Sequence, residues 1–352
     1  MVDNFPAEAK LSMERKAWAW LVVLLLGAAG CKGKVAPAVE DTEKKEFVVR
    51  VGSFGGLGAL PLGLGDAQGL YAAWGLAVEV EWFRRADDLT AALVKGDIHV
   101  AHAPADALVS LVDEKGADGI LVMGGSDGMN ELVVRPEVKS LRGLSGKTIL
   151  VDPGNPAYSL LLQKVLLSEG LVAERDYKLA EEGASEKRID GVREKPDQAA
   201  TLLAPPATFA AEKVGLKSLG PLTRTMGPYQ GLSAMVMRPW AQANPEVLSR
   251  YLASWVQGLR FALARENQGQ VLTFLTEKMH LKPEVAAQTY ALLASGKSGL
   301  AVDAQFDEPG FRNALAIRAE MQKRGKGKAP PAERYFDLSY YRVALAALDK
   351  SS

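Results

Sequence analysis

The stretch LTAALVKGDIHVAHAPADAL, residues 89–108, decides the fold. Its first part continues a helical pattern over 86–96 that stops at Gly96, a residue suited to the turn that ends helices. IHVAH (98–102) reads as a short strand. Pro104 then opens a second helical pattern over 104–116. Proline fits a first helical turn, where its missing N–H has no partner to lose. Helix, strand and helix in direct succession predict an α/β fold with a largely parallel sheet.

Working outward, FVVRVG (47–52) and AVEVEWF (77–83) read as strands on one side, and GILVMGG (119–125) as a strand on the other. The glycine-rich stretch from Gly55 to Gly69 lacks dinucleotide-site spacing, because Gly63-Leu64-Gly65 is followed by glycine only at Gly69. Close approach of backbone to a ligand, or a tight turn, accounts for these glycines. Further strands are expected at ELVVRP (131–136), KTILVD (147–152), AATLLA (199–204) and LSAMVMRP (232–239), with helices over 156–170 and 205–215. After that the pattern is mostly helical: 245–266, 268–280, 283–293, 308–323 and 338–348. Gly146-Lys147-Thr148 is not a phosphate loop, since position 141 holds Leu and the triplet leads into a strand instead of a helix.

The N-terminal end has a different character. Glu14-Arg15-Lys16 is followed by the uncharged run AWAWLVVLLL (17–26), then Gly27-Ala28-Ala29-Gly30 and Cys31, the single cysteine. A short apolar run with a basic front and a small-residue exit reads as a secretory signal, and it is too short to span a bilayer. The cysteine at the exit makes it similar to a bacterial lipoprotein signal, which implies cleavage before Cys31, lipidation of its thiol and a membrane anchor. Met13 offers a second start. Cleavage leaves 322 of the 352 residues, enough for two domains. Residues 31–46 are charged, without apolar periodicity, and are expected to form a flexible tether with a reach of about 20 Å.

Acidic and basic residues balance at 42 each, which gives no support to nucleic-acid binding. With Cys31 lipidated, no thiol remains for a disulfide or a cysteine-based metal site. Of the three histidines, His99 and His102 fall on different sides of one predicted strand, so no metal is expected; His102, at the strand's exit, is a candidate ligand contact. Arg84 and Arg85 follow a strand at the edge that faces the crevice in open sheets. No Ser-His-Asp or paired-carboxylate spacing can be defended: Ser53, His102 and Asp152 could be assembled on crevice edges, but the sequence alone does not bring them together.

Three stretches carry a resemblance: VRVG (49–52) with QGLYAAWGLAVEVEWF (68–83), the opening stretch 89–108, and VKSLRGLSGKTILVDPGNPAYSLLLQKVLLSEGL (138–171). With WAQANPEVLSRYLASWVQGLRFA (240–262), they resemble periplasmic solute-binding proteins of ABC importers, the group that takes alkanesulfonates, nitrate, taurine or thiamine-precursor pyrimidines. The resemblance covers about 47–290. It implies a type II two-lobed periplasmic-binding-protein fold, each lobe a mixed, mostly parallel sheet flanked by helices. Lobe one would be 47–133 plus 236–352 and lobe two 134–235, with crossings near Val133-Val134 and Ser233–Val236. It also implies a monomer that captures a small organic solute by hinge closure and delivers it to a permease and ATPase. No cofactor and no catalysis are implied. An enzyme on the same fold and a ligand-sensing lipoprotein are the alternatives.

Carried over position by position, the ligand contacts would be Ser53, Phe54, His102, Ala103, Ser126, Asp127, Asp152, Asn155, Tyr158, Pro205, Thr208 and Tyr229. Helix N-termini at such a site suit anions. No Arg stands where it would clamp a sulfonate, however, and Asp127 and Asp152 oppose an anion. An amine or amide, or an aromatic solute against Phe54, Trp82, Tyr158 and Tyr229, is the other expectation.

Overall fold

The computed structural model describes residues 47–154, 156–322 and 328–351. The expected signal peptide (1–30), the tether (31–46) with Cys31, and Asn155 lie outside the described residues.

The chain first builds β1 (Phe47–Ser53), α1 (Leu60–Ala67), α2 (Leu70–Ala73), β2 (Leu76–Trp82), α3 (Ala86–Lys95), β3 (Val100–Pro104), α4 (Ala105–Lys115) and β4 (Gly119–Met123). It then leaves for β5 (Glu131–Val134), β6 (Thr148–Val151), α5 (Pro156–Leu167), β7 (Lys178–Glu181), α6 (Ser185–Glu194), β8 (Gln198–Leu203), α7 (Ala207–Lys213), β9 (Lys217–Pro221) and α8 (Thr223–Met226). It returns through β10 (Leu232–Met237) and continues as α9 (Arg238–Ala243), α10 (Pro245–Leu263), α11 (Gln268–Glu277), α12 (Pro283–Ala294), α13 (Glu308–Met321) and α14 (Ser339–Ser351).

The strands form two five-stranded sheets, ordered β2-β1-β3-β10-β4 and β7-β6-β8-β5-β9. In the first, β1 runs parallel to β2 and β3, while β10 is antiparallel to β3 and β4. In the second, β6 is parallel to β7 and β8, while β5 is antiparallel to β8 and β9. Each sheet thus takes in an antiparallel strand that begins or ends a crossing. The sequence reading puts both crossings inside these strands. All four residues of β5 pair in the second sheet, and β10 pairs along its length in the first. The chain therefore changes sheets in the loop 124–130 and in the segment 222–231, which carries α8, where no ladder bonds have to be broken to turn it.

Lobe one packs α10 on its sheet, with Tyr251, Trp255 and Leu259 fully buried against Val49, Val51 and Val100. On the other face, α3 and α4 cover Ala101, Ala103 and Leu121. Lobe two has its own core around Leu132, Ile149, Leu162 and Ala199. α13 joins the two: Phe311 and Leu315 pack in lobe one, and Ala314 and Ile317 in lobe two. The glycine-rich stretch is not a ligand loop throughout. It contains α1, where a Cβ on Gly63 would meet the Phe274 ring at 2.5 Å and one on Gly65 the Tyr71 ring at 2.7 Å.

Candidate ligand cleft

The C-terminal ends of β3, β6 and β8 lead into the N-termini of α4, α5 and α7. In open α/β sheets this edge is where ligands bind. Here the two lobes meet along it. Ala86 N–H of lobe one donates to the Gly154 carbonyl of lobe two at 3.0 Å. A Cβ on Gly154 would stand 2.3 Å from the Arg84 carbonyl oxygen, so only glycine permits the contact. A pocket of about 50 Å³ lies in this seam, lined in part by Thr90, Asp106, Ala107, Pro156 and Ala157. A larger groove of about 500 Å³ lies outside the seam, on lobe one between Trp74, Arg250, Tyr340 and Val343.

The crossing 124–130 runs beside α5, with Gly128 next to the Tyr158 ring. Ser126 is 3 % exposed. Its hydroxyl accepts from Gly128 N–H at 3.2 Å, and its carbonyl accepts from Gly231 N–H, on the return crossing, at 2.8 Å. Asp127 Oδ1 accepts from Met129 N–H at 2.8 Å. Burial raises the Asp127 carboxyl above its ordinary range, and the charge of Asp307 adds to this. No cationic side chain pairs with Asp127 among the described residues. The two crossings touch backbone to backbone: a Cβ on Gly231 would lie 2.1 Å from the Gly128 nitrogen. Gln230, 1 % exposed, ties them further by donating to the Ser126 carbonyl at 3.4 Å and the Leu232 carbonyl at 2.8 Å, and it accepts from Asp307 N–H at 2.7 Å.

Tyr158, in the first turn of α5, adjoins this crossing. A Cβ on Gly128 would sit 3.5 Å from its ring. Its hydroxyl shares a hydrogen bond with the Asn130 amide, which in turn donates to the Gly128 carbonyl at 2.7 Å. Burial pushes the Tyr158 phenol well above its usual range, and the charges of Asp127, Asp106 and Asp152 push the same way. Asp106 is ion-paired to Arg318 of α13 at 2.7 Å, and Arg318 also holds Glu114 at 2.5 Å. Asp152 accepts from Gly154 N–H at 2.8 Å, with Arg188 3.9 Å from its second oxygen. Arg188 is itself held by the Glu182 and Gly183 carbonyls.

The structure thus brings Ser126, Asp127, Asp152 and Tyr158 to one region. Thr208 stands on α7 between Ala207 and Ala211, which pack in lobe two, and Phe209, which packs on lobe one. It is 1 % exposed and its hydroxyl has no partner. Pro205 forms a cis bond to Pro206 at the entry to α7. Ser53 is buried at the end of β1, donating to the Phe54 carbonyl at 3.2 Å, and Phe54 packs on the α3–α4 core. Ala103 is fully buried in that core. Tyr229 is 2 % exposed, packed against Leu162 and Ala314 behind Tyr158.

His102 is a correction. Its side chain points to the α10 side of the sheet, where the ring stacks on Trp255 at 5.3 Å and Nε2 lies 2.7 Å from the Tyr251 hydroxyl. On a strand, alternate residues share a face, and Val100 already places that face in the core. Asn130, Asp106, Arg318 and Gly154 were not singled out from the sequence. Asn130 sits three residues from the predicted contact Asp127 and Gly154 is next to the predicted contact Asn155, whereas nothing local links Asp106 to Arg318. Among the described residues no group of three or more His, Cys, Asp or Glu is placed to hold a metal ion, and no helix is long and apolar enough to cross a membrane.

No protein-family model matches the chain, and no curated protein matches it. Solved structures do. A protein of Bordetella bronchiseptica RB50 superposes with a TM-score of 0.72 at 18 % identity, covering 87 % of this chain and 99 % of that one. The periplasmic nitrate-binding protein NrtA of Synechocystis PCC 6803 gives 0.70 at 13 % identity, over 87 % and 90 %. The periplasmic aliphatic sulphonate binding protein SsuA of Escherichia coli gives 0.66 at 17 % identity, over 84 % and 99 %. At these identities the likeness establishes the fold: two mixed sheets flanked by helices, in the periplasmic-binding-protein arrangement.

Proposed function

We propose that this chain is the solute-binding component of an ABC-type importer, exported and held to a membrane by lipid on Cys31. A small organic solute enters the seam between the lobes, the lobes close about the two crossings, and a permease with its ATPase receives the solute. No bond is made or broken in this chain. The observation that carries the reading is the interlobe seam, where the first turns of α4 and α5 line one pocket and Ala86 N–H of one lobe donates to the Gly154 carbonyl of the other. The likeness to nitrate- and sulphonate-binding proteins supports it at the level of the whole fold.

A thermal-shift screen of sulfonates, pyrimidines, amines and aromatic acids tests the reading. A true ligand well above its dissociation constant adds about 3 kcal/mol of stability, a rise of roughly 5 °C or more. No rise with any member would sink these solute classes, and turnover of a bound compound would move the chain to the enzymes. The anchor is tested separately: Cys31→Ser is expected to release the protein from membranes, and unchanged membrane association refutes the lipid.

A further inference from the structure

We propose that the lobes of the solute-free chain rest shut, held by a clasp in which the Gly154 carbonyl of lobe two caps the N-terminus of α3 in lobe one. The clasp stands on geometry alone; only its consequence for solute entry rests on the seam being the ligand site.

Helix α3 begins without a cap of its own. Arg85, at its N-cap, makes no side-chain hydrogen bond to the first turn, and the opening N–H groups of a helix have no partner inside it. Ala86 N–H finds one across the seam, donating to the Gly154 carbonyl at 3.0 Å. A carbonyl oxygen at this place also meets the partial positive end of α3. On the side of lobe two, Asp152 shapes the loop that follows β6. Its Oδ1 accepts from Gly154 N–H at 2.8 Å, which engages that N–H within lobe two and leaves the carbonyl to the other lobe. Gly154 is buried in the contact, and a Cβ on it would lie 2.3 Å from the Arg84 carbonyl oxygen. The obstacle is backbone, so a side chain at position 154 has to push the two lobes apart. Neither Ala86 nor Gly154 belongs to a crossing, and the bond can part while the crossings stay in place.

Beside the clasp, Ala86 and Thr90 of lobe one and Pro156 and Ala157 of lobe two line a pocket of about 50 Å³. Small-molecule sites ordinarily hold about 300 Å³ or more. With the seam as the ligand site, an organic solute enters only while the clasp is parted, and the shut molecules lower the apparent affinity by the fraction they withhold.

The experiment measures the distance between two spin labels, one on each lobe, by double electron–electron resonance without any solute. It uses the full chain carrying Cys31→Ser, Val94→Cys on α3 and Val214→Cys at the end of α7; both valines are exposed, and Cys31 is the single native cysteine. Ala86→Pro removes the donor. Proline suits a first helical position, and Arg85, at φ −130° and ψ 138°, already has the extended backbone that a following proline requires. Gly154→Ala introduces the clash. Gly183→Ala, where a Cβ meets nothing within 4 Å, is the control. The labelled parent and the control are expected to give one short distance. Ala86→Pro is expected to raise the ratio of open to shut molecules at least about fivefold, the worth of one net hydrogen bond. Gly154→Ala is expected to raise it further, with the open distance longer by more than about 2 Å. Should one of the two variants fail to melt cooperatively, the other decides. Parent-like distances in a cooperatively melting Ala86→Pro or Gly154→Ala, an equal shift in Gly183→Ala, or a parent already spread over long distances overturns the clasp while solute binding stands. A thermal-shift screen without a ligand would sink the solute classes and leave the clasp standing.

Discussion

His102 has its ring stacked on Trp255 and 1 % of its surface exposed, and burial brings its pKa from 6.5 down to about 3. The unfolded chain binds a proton between those values that the folded chain refuses. Stability from this group is therefore complete above about pH 6.5 and is lost as pH falls towards 3, by about 3 kcal/mol at pH 4. Melting temperatures of the wild type are expected to fall between pH 7 and pH 4 more steeply than those of His102→Gln. Parallel profiles would show that the imidazole is not protonated on unfolding. Asp127 runs the other way. Its carboxyl is raised by burial, so the folded state keeps the proton longer and the group costs stability once pH rises through its folded range. These two residues have opposite legibility. The place of Asp127, in the loop that follows a strand, is legible from the apolar run GILVM that precedes it. His102 was misread because the last turn of a strand and its core-facing alternation cannot be separated without knowing which face α10 covers.

At the scale of elements, α13 is the joint between the lobes. Its start is capped by Asp307, which accepts from Gly310 N–H at 2.9 Å. Asn313 donates to the Met226 and Pro228 carbonyls of the return crossing, both at 2.8 Å. Arg318, 6 % exposed at its side chain, binds the helix to α4 through Asp106 and Glu114. Arg318→Ala strips two carboxylates of their guanidinium in a buried setting and is expected to cost about 3 kcal/mol in chemical denaturation. Arg318→Ala combined with Asp106→Asn should recover part of this, and a loss below about 1 kcal/mol would mean that water replaces the pair. None of this was visible in the sequence, because Arg318 and Asp106 are 212 positions apart. Most strands of the first sheet were visible, since GILVM in β4 is buried throughout and the alternation in β2 is regular. β7 (KLAE), β9 (KSLGP) and α6 (SEKRIDGVRE) were not singled out. The two strands form the edges of the second sheet, and a half-exposed edge needs no apolar run. The helix buries only Arg188, Ile189 and Val192, too few to make a stripe.

For the whole molecule, the order of strands and the resemblance carried by four stretches were enough for two lobes, while the points of crossing required the pairing itself. The consequence lies in how α13 is shared. It is fastened to lobe one, yet Ala314 and Ile317 belong to the core of lobe two. Any hinge opening that separates α13 from α5 must therefore wet apolar surface, and wetting apolar surface carries a positive heat capacity. The open form should then have a larger heat capacity than the closed one, and the apolar grip on closure should weaken on cooling. Small-angle scattering of the solute-free chain is expected to give a larger radius of gyration at 5 °C than at 30 °C, and a radius that shrinks on cooling would count against it. Two lobes that open and close as proposed would also act as a thermometer: warmth, up to the point of unfolding, would tend to keep them shut.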